Sequence, residues 1–130
     1  MINVTVRNII ESVPIFRRIT SETFNMGAAY KIARLIRELD NEYELFEKAR
    51  ADLINKYGEK DEEGNLKEQD GKVSLKPDCI KDFNEAVQDI LNNKVEINAE
   101  PIEIEYLSEI KISPTDIILI MPFIKEKDPA

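Results

Sequence analysis

Ala29, Ile32, Ile36, Leu39, Tyr43, Phe46, Arg50, Leu53 and Tyr57 follow one another at alternating spacings of three and four. That rhythm puts all nine on one face of an α-helix, and only Arg50 interrupts the apolar seam. The seam predicts a helix over 25–57, stopped at Gly58, the residue type that most often follows a helix end. About 30 residues at 1.5 Å each make a rod of ~45 Å, part of which is expected to project or pair. A shorter copy, Ile80, Phe83, Val87 and Ile90, predicts a second helix over 78–92. Two seams joined by a polar, glycine-containing loop over 58–77 predict a long antiparallel helical hairpin. Its expected contacts run from Ile36, Leu39, Tyr43, Phe46 and Leu53 to Ile80, Phe83, Val87 and Ile90.

The flanking segments are shorter. Residues 1–20 form an N-terminal segment in which 2–6 alternate as a strand would, while Thr5 equally suits the cap of a helix over 6–10. Residues 12–19 read as a short helix with Pro14 in its first turn, where a missing N–H costs nothing. In the loop, Glu63-Gly64-Asn65 signals a turn, and Asp70-Gly71 signals either a small hairpin or a disordered tip. Two alternating runs around Asn98-Ala99-Glu100 predict a β-hairpin over 94–105 with isoleucine and valine on its inner face. Ser113-Pro114-Thr115-Asp116 predicts the start of a C-terminal helix over 113–124, apolar nearly all round, with Pro122 kinking or ending it. The tail from Lys125 is expected to fray. The fold class is therefore mainly α with a small β-hairpin, in one domain over 1–130.

The apolar run 117–121 is far shorter than the ~18 residues a membrane span needs. Residues 1–7 lack the pattern of a secretory signal, which makes the cytoplasm the expected location. Cys79 is the single cysteine and there is no histidine. An intrachain disulfide, a multi-thiolate zinc site and any Ser-His or Cys-His nucleophile pair are thereby excluded. No catalytic residue, cofactor or metal is assigned, and an enzyme is not expected.

A net charge of −8 argues against general nucleic-acid binding, but the charge is uneven. Residues 1–37 carry six cations against two acids, so a basic end precedes an acidic body. Lys31, Arg34 and Arg37 recur along the long helix, and Arg17 and Arg18 lie on the preceding one. If the two helices pack, these five converge on a candidate site for phosphates or an acidic protein surface. The alternative is a solvated face paired with Glu38, Asp40 and Glu42. Counting from Glu59, the acidic loop has the outline of a calcium-binding loop, with Asp61, Glu63, Gly64 and Asp70 at positions 3, 5, 6 and 12. It lacks the aspartate at position 1 and the bidentate glutamate at position 12, and it reads as a solvated turn. Arg50 either pairs with Glu85 or Asp89 on the second helix or snorkels to the edge of the packing.

The stretches Ala29-Tyr30-Lys31-Ile32-Ala33, Phe46-Glu47-Lys48-Ala49-Arg50 and Leu53-Ile54-Asn55-Lys56-Tyr57-Gly58-Glu59-Lys60-Asp61-Glu62-Glu63-Gly64-Asn65 carry a resemblance. They resemble a group of small proteins of unknown function encoded by tailed phages and prophages of Gram-positive bacteria. The resemblance covers most of the chain and implies a phage context within a bacterial host, with no known activity. The expected function is that of a non-enzymatic accessory protein that binds another protein or assembles with itself. Ala28, Leu35, Leu45, Ala49 and Ile54 lie off the main seam and point to a homo-oligomer that covers them. The alternative is an anti-defence protein that blocks a host immune protein or sequesters a nucleotide signal in the basic cluster.

Overall fold

The computed structural model describes residues 1–69 and 72–126. Its elements in chain order are β1 (Ile2–Thr5), α1 (Val6–Ile19), α2 (Met26–Tyr57), β2 (Glu68–Gln69), β3 (Lys72–Val73), α3 (Ile80–Leu91), β4 (Lys94–Ile97), β5 (Ile102–Glu103), α4 (Pro114–Ile120) and β6 (Ile124–Lys125). Short 3-10 turns precede α3, follow β5 and follow α4. The protein is mainly α with a small amount of β. The chain divides into two compact units, one from residues 1–43 with 94–126 and the other from residues 44–93.

In the first unit β1 pairs antiparallel with β4, setting Ile2 opposite Ile97 and Val4 opposite Val95. Both readings of the N-terminus hold at once. Residues 2–5 are a strand, and Thr5 then caps α1 by accepting from the Asn8 N–H while the Asn8 side chain accepts from the Thr5 N–H. The separate short helix expected over 12–19 is not formed. Residues 6–19 are one helix with Pro14 in its interior. Proline removes the bond to the carbonyl of Ile10 and costs about 3 kcal/mol or more in a helix. The helix survives because Ile9, Val13, Ile15, Phe16 and Ile19 are buried along it, while Pro14 lies on the exposed face.

The expected β-hairpin over 94–105 is also corrected. Residues 94–97 pair with β1, and β5 pairs in parallel with β6, Ile102 beside Ile124 and Glu103 beside Lys125. Alternation carries no information about the partner strand, and it overruns the second strand, since Ile104 and Glu105 lie in a 3-10 turn. Lys125, expected in a frayed tail, is thus held in a strand; residues 127–130 lie outside the described ones. The C-terminal helix starts as its sequence dictates, with Ser113 accepting from the Asp116 N–H and Pro114 at the first position. It ends at Ile120, one turn before Phe123, because Pro122 cannot continue the ladder.

The core of this unit contains Ile9, Phe16, Leu35, Leu39, Ile97, Ile102, Ile120 and Phe123, each essentially inaccessible. Phe16 meets Phe123 edge to face, with ring centres 5.8 Å apart at 78°. The first half of α2 faces this core through Ala28, Ile32, Leu35 and Leu39. Ala28 and Leu35 are therefore core residues here, although their spacing takes them off the main seam. Ile36 and Tyr43 are partly buried against the same core. Ile36, Leu39 and Tyr43, expected against the second helix, thus belong to the first unit and its core.

In the second unit Phe46 is buried. Tyr57 at the end of α2 meets Phe83 of α3 edge-on, 6.4 Å between centres, and the Lys76 N–H donates to the Tyr57 carbonyl. The two helices are thus joined at that end, as two seams and one loop require. No residue of α3 is fully buried. The loop between them holds β2 and β3, which pair antiparallel with Glu68 opposite Val73; Asp70 and Gly71, where the sequence signals a small hairpin or a disordered tip, lie outside the described residues. Gly58 is required by space. A Cβ there would stand 2.6 Å from the Ile54 carbonyl oxygen and 2.7 Å from Leu66 Cδ2. Gly64 has φ +85°, the left-handed conformation that glycine adopts without strain. Arg50 reaches neither Glu85 nor Asp89; it is exposed, 4.0 Å from Glu47 one turn earlier.

Candidate functional site

The five candidate cations do not converge. α1 presents Arg17 and Arg18 in different directions, as successive helical residues must be. Arg17 pairs with Asp40 of α2 at 3.4 Å and lies 4.9 Å from the centre of the Tyr43 ring. Arg18 pairs with Asp116 in the first turn of α4. These two tie helices of the first unit together. Arg37 is exposed and makes no ion pair among the described residues.

Lys31 and Arg34 have a different setting. With Met1, Tyr30, Asn98, Ala99 and Glu100 they line a cleft of about 360 Å³ in the first unit. One wall comes from the second turn of α2, where Tyr30 and Arg34 are four residues apart and share a face. The other is the turn after β4, fixed by the Ala99 N–H donating to the Ile97 carbonyl at 2.9 Å and by burial of the Ala99 side chain. Burying Ala99 leaves its neighbours Asn98 and Glu100 exposed. Tyr30 is 66% exposed, an unusual state for a large aromatic residue. Arg34 makes no ion pair among the described residues.

Lys31 is held by a residue that does not line the cleft. Its ammonium donates to the Tyr106 hydroxyl at 3.3 Å and lies over the Tyr106 ring. That hydrogen bond, then the electrostatic interaction with Tyr106 and the charges of Glu103 and Glu100, raise the Lys31 pKa above its ordinary value. The ammonium is therefore a fixed positive charge at neutral pH. Tyr30, Asn98 and Glu100 were not legible as site residues. The one signal was the pairing of an aromatic residue with an arginine four positions on.

A second concavity, about 210 Å³, lies between Ile104, Ile117, Met121, Ile124 and Glu126. Two of its lining side chains stand in solvent, Ile104 at 40% exposed and Met121 at 53%, and Ile118, which does not line it, is 61% exposed on α4.

The acidic loop gives a turn. Asp61 Oδ1 accepts from the N–H groups of Glu63 and Asn65 at 2.9 and 3.0 Å, an Asx-type arrangement that ties the carboxylate to its own backbone. Asp70, the last position of the calcium-like spacing, lies outside the described residues. Among the described residues no helix is long and apolar enough to cross a membrane. Comparison of the chain with protein-family models, curated proteins and solved structures gives no match in any of the three.

Proposed function

We propose that this chain is a non-enzymatic binding protein, encoded by a phage and acting in the cytoplasm of the bacterial host, that works by contact with a protein. The observation that carries the reading is the exposure of Ile104 and Met121, which line an apolar concavity, together with that of Ile118 on α4. Leaving large aliphatic side chains in water forgoes roughly 25 cal/mol per Å² of apolar area, which a partner surface recovers. The phage context rests on the resemblance carried by residues 29–33, 46–50 and 53–65. The partner is either another protein or a second copy of the chain, since Leu45 and Ile80 also stand exposed.

The test compares the wild-type chain with Ile118→Lys and Met121→Lys. Light scattering at tens of micromolar reads self-association. Affinity purification from infected cells, with proteins and nucleotides both identified, reads hetero-association. The proposal predicts that assembly or a reproducible partner is lost in both variants while thermal stability is unchanged. Identical behaviour of all three proteins overturns it.

A second reading, an anti-defence protein that captures a nucleotide signal, is favoured by one observation of its own. Lys31 and Arg34 face a concave site of about 360 Å³, within the ~300–1,000 Å³ typical of small-molecule pockets.

A further inference from the structure

We propose that the cleft between the second turn of α2 and the turn after β4 takes a guanine mononucleotide. Tyr30 stacks on the base, Glu100 reads its N–H edge, and Lys31 and Arg34 hold the phosphate. The inference rests on the nucleotide reading just given and names its ligand.

The composition of the cleft carries the argument. Two cations three residues apart on a rigid helix suit a phosphate, since both reach the same side of the site. Lys31 is already oriented by the Tyr106 hydroxyl, so little side-chain freedom is lost when an anion arrives. Arg34 has no carboxylate to surrender among the described residues. An exposed tyrosine on the same helix face as Arg34 gives a flat apolar platform of the kind on which bases stack. Phosphate alone would leave that ring unused.

Glu100 decides between the bases. A carboxylate lining a phosphate site repels the anion unless the other end of the ligand satisfies it. A carboxylate only accepts hydrogen bonds, and it accepts two best when two donors lie side by side. Guanine offers such a pair, N1–H and the N2 amino group. Adenine and cytosine each offer one amino group beside a ring nitrogen that accepts, and uracil one N–H between two carbonyls. An acceptor facing a carboxylate is repulsive, so the same group that favours guanine rejects the others. Asn98, which both donates and accepts, is available to the guanine carbonyl.

Titration calorimetry on the full chain tests this with 5′-GMP, 5′-AMP and guanosine. GMP is expected to bind at least about tenfold more tightly than AMP. Glu100→Gln should bring GMP to the level of AMP without weakening AMP. Arg34→Ala should weaken both nucleotides about tenfold and leave guanosine unaffected. Both side chains are exposed, and thermal melts establish that the variants are folded. Equal binding of GMP and AMP by the wild type overturns the guanine assignment and leaves the nucleotide reading standing. A GMP preference that survives Glu100→Gln overturns the role of Glu100. Absence of binding by either nucleotide at millimolar concentration removes both the inference and the reading beneath it.

Discussion

Lys31 of α2 donates to the hydroxyl of Tyr106, 3.3 Å away in the 3-10 turn after β5, and the same ammonium lies 5.7 Å from the centre of that ring. Two segments 75 residues apart in sequence are joined by this contact. Its pH dependence has a definite sign. A lysine whose folded pKa is raised contributes stability that is fully present below its unfolded pKa and is lost as pH rises through the folded one. Tyr106→Phe should lower the Lys31 pKa toward its ordinary value, because the hydrogen bond is the first cause of the shift. The stability gap between the two proteins should be constant near neutrality and narrow only in the alkaline range. An NMR titration of the Lys31 side chain reads the first effect and urea melts read the second. An unmoved Lys31 pKa in Tyr106→Phe would be inconsistent with the contact.

Phe16 and Phe123 join α1 to the segment after α4, and both are fully buried. Phe123→Ala should cost about 3–5 kcal/mol, the range for truncating a core aromatic residue. The edge-to-face geometry adds a coupling of about 0.5–1.5 kcal/mol between the two rings, measurable by a double-mutant cycle with Phe16→Leu and Phe123→Leu. A loss below about 1 kcal/mol in Phe123→Ala would mean that the C-terminal segment does not complete the core.

Gly58 tests the second unit by itself. An added methyl would meet the Ile54 carbonyl, which is backbone of the preceding helical turn and has no rotamer to change. It would also press on Leu66 and, at 3.2 Å, on Val73. Gly58→Ala should therefore destabilise by about 1–3 kcal/mol, the usual cost of overpacking. The loss should appear as faster amide exchange in residues 44–93, with residues in the core of the first unit little changed. Uniform acceleration through both units would contradict that division, and a neutral substitution would contradict the packing at Gly58.

What could be read from the chain was whatever depends on local geometry. The bounds of α2 follow from its period and the start of α4 from Ser113-Pro114; its end at Ile120 falls short of the expected 124, because Pro122 ends the helix rather than kinking it. What could not be read was pairing. Val95 and Ile97 alternate with Lys94 and Glu96 whether their partner is β1 or a neighbouring run, and the fold chooses β1. The same limit governs the long seam. Ile32 and Leu39 are core, yet Ala28 and Leu35, off the seam, are buried more completely than Ile36 and Tyr43 on it. A helix packed on several elements uses a broader face than a two-helix seam describes. The cation cluster was partly legible. Spacing placed Lys31 and Arg34 near one another, but the carboxylates that claim Arg17 and Arg18 come from 23 and 98 residues away.

Pro14 gives the most direct test of how tertiary burial overrides local preference. In the interior of α1 it denies the Ile10 carbonyl a donor, and its ring crowds the same carbonyl. Replacement by alanine restores the bond and removes the crowding, effects that together approach ~3 kcal/mol on helix propensity scales. Alanine also frees the unfolded chain, which opposes the gain by about 0.4–1 kcal/mol. The net expectation for Pro14→Ala is stabilisation by roughly 1–3 kcal/mol, since Pro14 is exposed and its removal opens no cavity. Chemical denaturation measures it directly. A destabilised variant would show that the bend imposed by proline is needed to bring Ile9, Val13 and Phe16 together into the core, and the cost assigned to Pro14 would have to be reversed in sign.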